Sequence, residues 1–256
     1  MMLKIVRAIT STVAVMLVAH SPVLANENAA NANVKPHPLP QTLEIELALS
    51  ALPDDLRAGS AVYTLDPEKG FQLARHGSNG FHAFVARTGD DALRGDWPLK
   101  SYRDDILYPV AFDEVGAAAQ MRIMFDVAEM QAKGVPAGEL KGIFRERVKQ
   151  GHYPVPHRAG VSYMLSPILR TYAEPDSSDR IVTVSFPHVM YYAPNVQNHQ
   201  IGGGHVGEHK VRVNLPGPHG YINQPIGRSE RAKLQEQYKD MLAELCRLKQ
   251  AWCLSP

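Results

Sequence analysis

The chain has 256 residues, 45% of them hydrophobic and 21% charged, with 27 Lys and Arg against 26 Asp and Glu. That near balance gives no electrostatic basis for binding nucleic acid or an anionic membrane surface. The length is enough to bury a sizeable core within one domain.

The first 25 residues have the form of a secretory signal peptide. Lys4 and Arg7 are its positive start, and residues 9–18 are mostly apolar, interrupted by Thr10, Ser11 and Thr12. Val23, Leu24 and Ala25 put small or apolar residues at the cleavage positions, so a cut after Ala25 is expected. The apolar stretch is too short and too interrupted to span a bilayer, which needs ~20 consecutive apolar residues. No later segment approaches a span, and no cysteine lies near the cut to carry a lipid. The expectation is a soluble mature protein in the periplasm or secreted. Without Lys4 and Arg7 it has 25 basic and 26 acidic residues, one net negative charge.

Residues 26–40 are polar and rich in Asn and Pro, and they read as a disordered leader with His37 exposed. A single α+β domain is expected over residues 41–256. Residues 41–57 read as helix, broken by Pro53. Residues 61–65, 71–75 and 81–87 read as strands, separated by turns at residues 66–70 and 76–80, and predict a three-stranded meander.

These strands carry a resemblance. Ala51-Leu52-Pro53, Leu56-Arg57, Gly59, Val62-Tyr63, Gly70-Phe71, Arg75, Gly77-Ser78-Asn79-Gly80-Phe81, Val85 and Arg87-Thr88 form a pattern. With the later Pro187-His188-Val189-Met190-Tyr191-Tyr192-Ala193-Pro194-Asn195, it resembles an uncharacterised group of exported bacterial proteins. The resemblance covers most of the mature chain. It implies export and a shared fold, and it brings no activity, cofactor or catalytic residue. Members often have a cysteine at the position of Ala83 or Phe84, which this chain lacks, so no thiol role attaches there.

Residues 88–110 read as irregular. The pairs Asp90-Asp91 and Asp104-Asp105 lack the Asp-x-Asp-x-Asp-Gly spacing of a calcium loop and read as solvated turns. Trp97 and Tyr102 read as core or loop anchors. Ala117, Met121, Met124, Phe125, Ala128 and Met130 recur at helical spacing and predict a helix over 113–133, ended by Gly134. Pro136 opens a second helix to about Gln150, giving a helical hairpin. Lys141, Arg145, Arg147 and Lys149 read as its solvated face. Residues 161–169 and 181–186 are predicted strands, the second central, and Ser229 is the expected cap of a last helix reaching Leu248. The fold class is thus α+β: a mainly antiparallel sheet, an N-terminal meander plus later strands, with a helical hairpin and a C-terminal helix. Cys246 and Cys253 are expected to pair in an exported protein. On one helix, residues seven apart lie ~10 Å apart, so the pairing requires the helix to end between them.

Residues 186–225 hold five of the eleven histidines: His188, His199, His205, His209 and His219. His188 follows a buried-strand pattern, and three readings compete for it: a structural histidine, a metal ligand and a general base. His205 and His209 stand four apart, as a zinc pair on a helix requires. Gly202, Gly203, Gly204 and Gly207 oppose a helix there at ~1 kcal/mol each. A glycine-rich loop could still gather His199, His205, His209 and His219 around zinc; His188 with Met190 would also admit copper, but that pair is too common to be specific. The alternative is a polar surface loop. No phosphate loop, dinucleotide fingerprint or Gly-x-Ser-x-Gly elbow occurs. Residues 221–226 predict a strand, with 181–186 as its candidate neighbour. An antiparallel pair there would bring His188 and His219 together, with Tyr191 and Tyr192 as a wall. The expected ligand-binding set is therefore His188, Tyr191, Tyr192 and His219, and the expected metal set is His199, His205 and His209. The function expected is an exported, non-enzymatic small-ligand-binding or structural module, with a small molecule or a periplasmic protein as its partner. The alternative is a metal-binding protein or metal-dependent hydrolase.

Overall fold

The computed structural model describes residues 34–88, 102–173, 180–203 and 211–254. In chain order its elements begin with α1 (Gln41–Leu49), α2 (Asp54–Arg57), β1 (Ala61–Asp66), β2 (Gly70–Arg75), β3 (His82–Ala86) and β4 (Tyr108–Phe112). There follow α3 (Glu114–Gly116), a π-helical turn (Ala117–Met121), α4 (Arg122–Ala132), α5 (Ala137–Lys149), β5 (Val161–Met164), β6 (Leu169–Tyr172) and β7 (Ile181–Val184). The remainder is β8 (His188–Tyr192), a 3-10 turn (Asn198–Ile201), β9 (Arg212–Leu215), β10 (Tyr221–Pro225), α6 (Arg228–Gln237), α7 (Lys239–Leu248) and a 3-10 turn (Gln250–Trp252).

Eight strands form one sheet in the order β2-β1-β3-β4-β5-β8-β10-β9, and β6 pairs with β7 in a small second sheet. All pairings are antiparallel except β1 with β3. Helices cover both faces of the large sheet, as the α+β expectation requires. On one face, Leu43, Leu47 and Ala48 of α1 pack with Val62, Val85, Leu107, Leu245 and Trp252. On the other, Phe84, Val110, Phe112, Met164, Met190 and Tyr192 pack against Met124 and Phe125. The α4–α5 hairpin builds its own core from Ile123, Val127, Leu140 and Phe144.

Several expectations need correction. The meander is not one: β3 lies parallel to β1, on the side away from β2. Between β2 and β3 the chain crosses back over the start of β1, where Ser78 and Asn79 donate backbone N–H groups to the Gly59 carbonyl. A Cβ on Gly77 would lie 2.2 Å from the Ala61 nitrogen, so this crossing requires glycine. Residues 108–110, read as irregular, belong to the central strand β4, with Pro109 opposite Val85. Residues 181–184 form β7 of the small sheet, half-exposed rather than central, and β10 pairs with β8 rather than with β7. The C-terminal helix starts at Arg228, with Gly227 rather than Ser229 at its cap, and breaks at Tyr238 into α6 and α7. Residues 34–40 are not loose: the His37 N–H donates to the Asp104 carbonyl, and the His37 ring meets Trp252 edge-on at 5.3 Å. Arg147 is not simply solvated either, since it pairs with Asp126.

The disulfide is as expected. Helix α7 ends at Leu248, Lys249 is extended, and Cys253 folds back to bond Cys246 with the two Cα atoms 4.4 Å apart. This return buries Trp252 completely, and its Nε1–H donates to the Asp105 carbonyl at 2.7 Å.

Burial also overturns the reading of Asp105 as a solvated turn residue. It is 4% exposed, and its carboxylate accepts Arg103 Nε and Nη2 at 2.8 Å each and Arg170 Nε at 3.0 Å. Burial pushes its carboxyl up, but the hydrogen bonds and charges of the two arginines outweigh that and hold it below the ordinary value. Arg170 Nη1 continues to the Thr183 hydroxyl, which donates to the Ala251 carbonyl at 2.6 Å. A second buried pair, Glu44 with Arg87 at 3.2 Å, fixes α1 to the end of β3, and Glu44 also accepts the Leu65 N–H.

One edge of the large sheet is closed by a side chain. Val213 of β9 donates its N–H to Asn198 Oδ1 at 2.8 Å, and Asn198 Nδ2 donates to the Val213 carbonyl at 3.3 Å.

Asp105→Asn strands two guanidinium groups, one of them largely buried, and should cost about 3 kcal/mol in urea unfolding. The paired change Asp105→Asn with Arg170→Gln should recover part of that loss. Near-UV dichroism should show Trp252 loosening in the single variant.

Candidate functional site: a cleft beside His188

Strand β8 alternates strictly. His188, Met190 and Tyr192 point into the protein, and Tyr191, 43% exposed, points away. Antiparallel register sets Asn223 of β10 opposite Met190, Tyr221 opposite Tyr192, and Pro225 opposite His188. On the far side Met164 of β5 faces His188. Arg212 of β9 stands opposite Asn223, so it joins the same face.

Across this face lies the small sheet. The space between them is a cleft of about 400 Å³. His188, Arg212, Asn214, Tyr221 and Asn223 line it from the large sheet; Leu169, Thr171, Val182, Val184 and Phe186 line it from β6, β7 and the segment after them. Tyr108, Tyr172, Ala173 and Arg180 complete the lining. No carboxylate lines it among the described residues.

His188 is 4% exposed. Its Nδ1 lies 2.8 Å from the Phe186 carbonyl, so Nδ1–H donates and Nε2 holds the lone pair. Burial pushes its pKa down to about 4, against the hydrogen bond to Phe186 and helped by the nearby Arg212 charge. The imidazole is therefore neutral at physiological pH. Asn223 is 5% exposed, and its buried Oδ1 has no hydrogen-bond partner among the described residues. Arg212 is exposed, and Nη2 donates to Asn214 Oδ1 at 2.6 Å. Asn214 in turn donates to the Tyr221 hydroxyl at 2.7 Å. A neutral amide thus orients the guanidinium, and among the described residues no carboxylate pairs with it.

The four residues expected to bind a ligand together do not meet. Although the β8–β10 pair is antiparallel, His188 sits at one end and Tyr192 at the other, four residues and about 13 Å along the strand at ~3.3 Å each. His219 precedes Tyr221, beyond that second end. Its Nε2 lies 3.2 Å from the Tyr153 carbonyl and its own carbonyl accepts Gln120 Nε2, so it ties the β9–β10 loop to the segment after α5. Tyr192 is a packing column. A Cβ on Gly116 would fall 1.8 Å from its hydroxyl oxygen, and one on Gly160 2.9 Å from its ring. Tyr191 faces solvent on the opposite side. Of the metal set, His199 is exposed in its 3-10 turn, while His205 and His209 lie outside the described residues. Among the described residues no three His, Cys, Asp or Glu side chains converge as metal ligands.

Sequence reasoning found His188 and missed Asn223, Asn214 and Arg212. Asn223 carried a signal: it follows Tyr221 by two in a predicted strand and so shares its face. Comparison of the chain with protein-family models, with curated proteins and with solved structures gives no match.

The buried neutral His188 makes folding stability depend on pH. The unfolded chain binds the proton near the ordinary value of ~6.5, the folded chain only near 4. The stabilisation is full above pH ~6.5 and is lost as pH falls from there to 4, a total of about 3 kcal/mol. His188→Gln should remove this component. Urea unfolding from pH 7 to pH 4 should therefore show the parent chain losing about 3 kcal/mol more than the variant, while Asp105 and the other carboxylates cancel in the difference.

Proposed function

We propose that this chain is an exported, non-enzymatic module that binds a small molecule in the cleft beside His188. The observation that carries the reading is Asn223: a buried amide at the cleft, with an oxygen that finds no partner in the described protein. Buried polar groups are nearly always hydrogen-bonded, and an orphan at a cavity asks for a partner from outside. The volume supports the reading, since about 400 Å³ lies at the small end of ligand sites, which run ~300–1,000 Å³. So does the chemistry of the walls. Apolar side chains on the small sheet face an imidazole, two amides and a guanidinium on the large one, which suits recognition. His188 is oriented by a carbonyl instead of a carboxylate, an arrangement that holds a neutral acceptor in place. Export rests on the leader pattern of residues 1–25, which lie outside the described residues.

Ligand-observed NMR against a fragment mixture tests this with purified mature protein. Some fragments should bind the parent chain and lose most of their saturation transfer with Asn223→Leu and with Val182→Trp, which fills the cleft from the opposite wall. If every binding fragment is indifferent to both substitutions, or none binds, the cleft is not a ligand site.

A further inference from the structure

Resting on that reading, we infer that the cleft takes a small organic carboxylate, its charged end on Arg212 and its aliphatic or aromatic body against Leu169, Val182, Val184 and Phe186. Three observations converge on this class. The first is charge. Arg212 stands at the cleft with Asn214 Oδ1 as its hydrogen-bond acceptor, and no carboxylate lines the site among the described residues. A guanidinium aimed by a neutral group keeps its full attraction for an anion, and its planar fork matches a carboxylate in two parallel hydrogen bonds.

The second is the opposing wall. Leu169 and Val182 offer carbon surface, while Val184 and Phe186 extend it to His188, whose ring tilts against Phe186 at 4.9 Å between centroids. An inorganic anion would leave this wall unused. A ligand with a short apolar body removes it from water, at roughly 0.8 kcal/mol for each buried methylene. The third is the polar pair between the ends. Asn223 presents an amide and His188 a lone pair on the same face. A hydroxyl or amino substituent next to the carboxylate would satisfy them, so substituted acids should bind more tightly than plain ones.

Isothermal titration and amide-resonance mapping on the full mature chain with its disulfide intact would test the class. The probes are hexanoate, 2-hydroxyhexanoate, the neutral isostere hexanamide, and acetate, which has the charge without the body. Hexanoate should shift resonances on β7, β8, β9 and β10 and bind at least tenfold more tightly than hexanamide or acetate. The 2-hydroxy acid should bind more tightly than hexanoate. Arg212→Gln changes an exposed side chain and should fold normally; it should abolish the advantage of hexanoate over hexanamide. If hexanamide binds the cleft as well as hexanoate, the carboxylate assignment falls and the cleft itself stands. If acetate matches hexanoate, the apolar wall plays no part and the organic ligand is excluded. If neither hexanoate nor hexanamide moves a cleft resonance, this inference fails, and the fragment experiment decides the broader reading independently.

Discussion

Asp105 links three parts of the chain, the segment before β4, strand β6 and the C-terminal tail, through its carboxylate and its backbone carbonyl. Arg103 lies two residues away, Arg170 lies on β6, and the Asp105 carbonyl receives the indole of Trp252 near the C-terminus. A buried carboxylate tolerates desolvation only where charge-assisted hydrogen bonds replace water, and here two guanidinium groups do so. Through Arg170 the contact passes to Thr183 on β7 and then to the Ala251 carbonyl. The small sheet is thus pinned to the large one by the backbone pair of Leu107 with Arg170, by this ion-pair cluster, and by the returning tail. Because the small sheet is one wall of the cleft, the cleft's width depends on Asp105, which does not line it.

Strand β7 ends at Val184, and Pro187 stands immediately before β8. Pro187 stands between Phe186, which belongs to the small-sheet wall, and His188, which begins β8 at the middle of the large sheet. The two walls are therefore consecutive in sequence at this corner, and the Phe186 carbonyl is in place to accept His188 Nδ1–H. That local bond selects the tautomer, and burial keeps the ring neutral. The result is a fixed acceptor at the base of a cleft whose guanidinium groups, on Arg212 and Arg180, sit nearer the surface.

Much of this was readable from residues alone. The helical spacing of Ala117, Met121, Met124 and Ala128 marks a helix, because tertiary packing and local period agree there. The pairing of Cys246 with Cys253 was readable because covalent geometry demands a helix end between them. Other features depend on partners far away in sequence. Asp105 looks like a turn residue beside Asp104, and its burial follows from Arg170, 65 positions later. Strand β4 was hidden by Pro109, which lacks the N–H that a central strand normally donates. The parallel step from β1 to β3 was hidden because short turns normally join antiparallel neighbours. At the site, His188 stood out by its place after a strand pattern. Asn223 and Arg212 did not, because their shared face follows from the pairing of β9 with β10. The density of histidines does not separate His188 from His219, whose hydrogen bonds tie the β9–β10 loop to the segment after α5.

Asn198 has a bearing on how the molecule keeps to itself. Its carboxamide copies one peptide group, offering the Val213 backbone an acceptor and a donor at the spacing of a neighbouring strand. A real strand has further N–H and C=O groups on its far side and so passes the pattern on. A side-chain amide has none to pass on. At β9 the hydrogen-bonding ladder therefore meets a terminus in place of a template, and a second chain seeking to extend the sheet there would first have to displace Asn198.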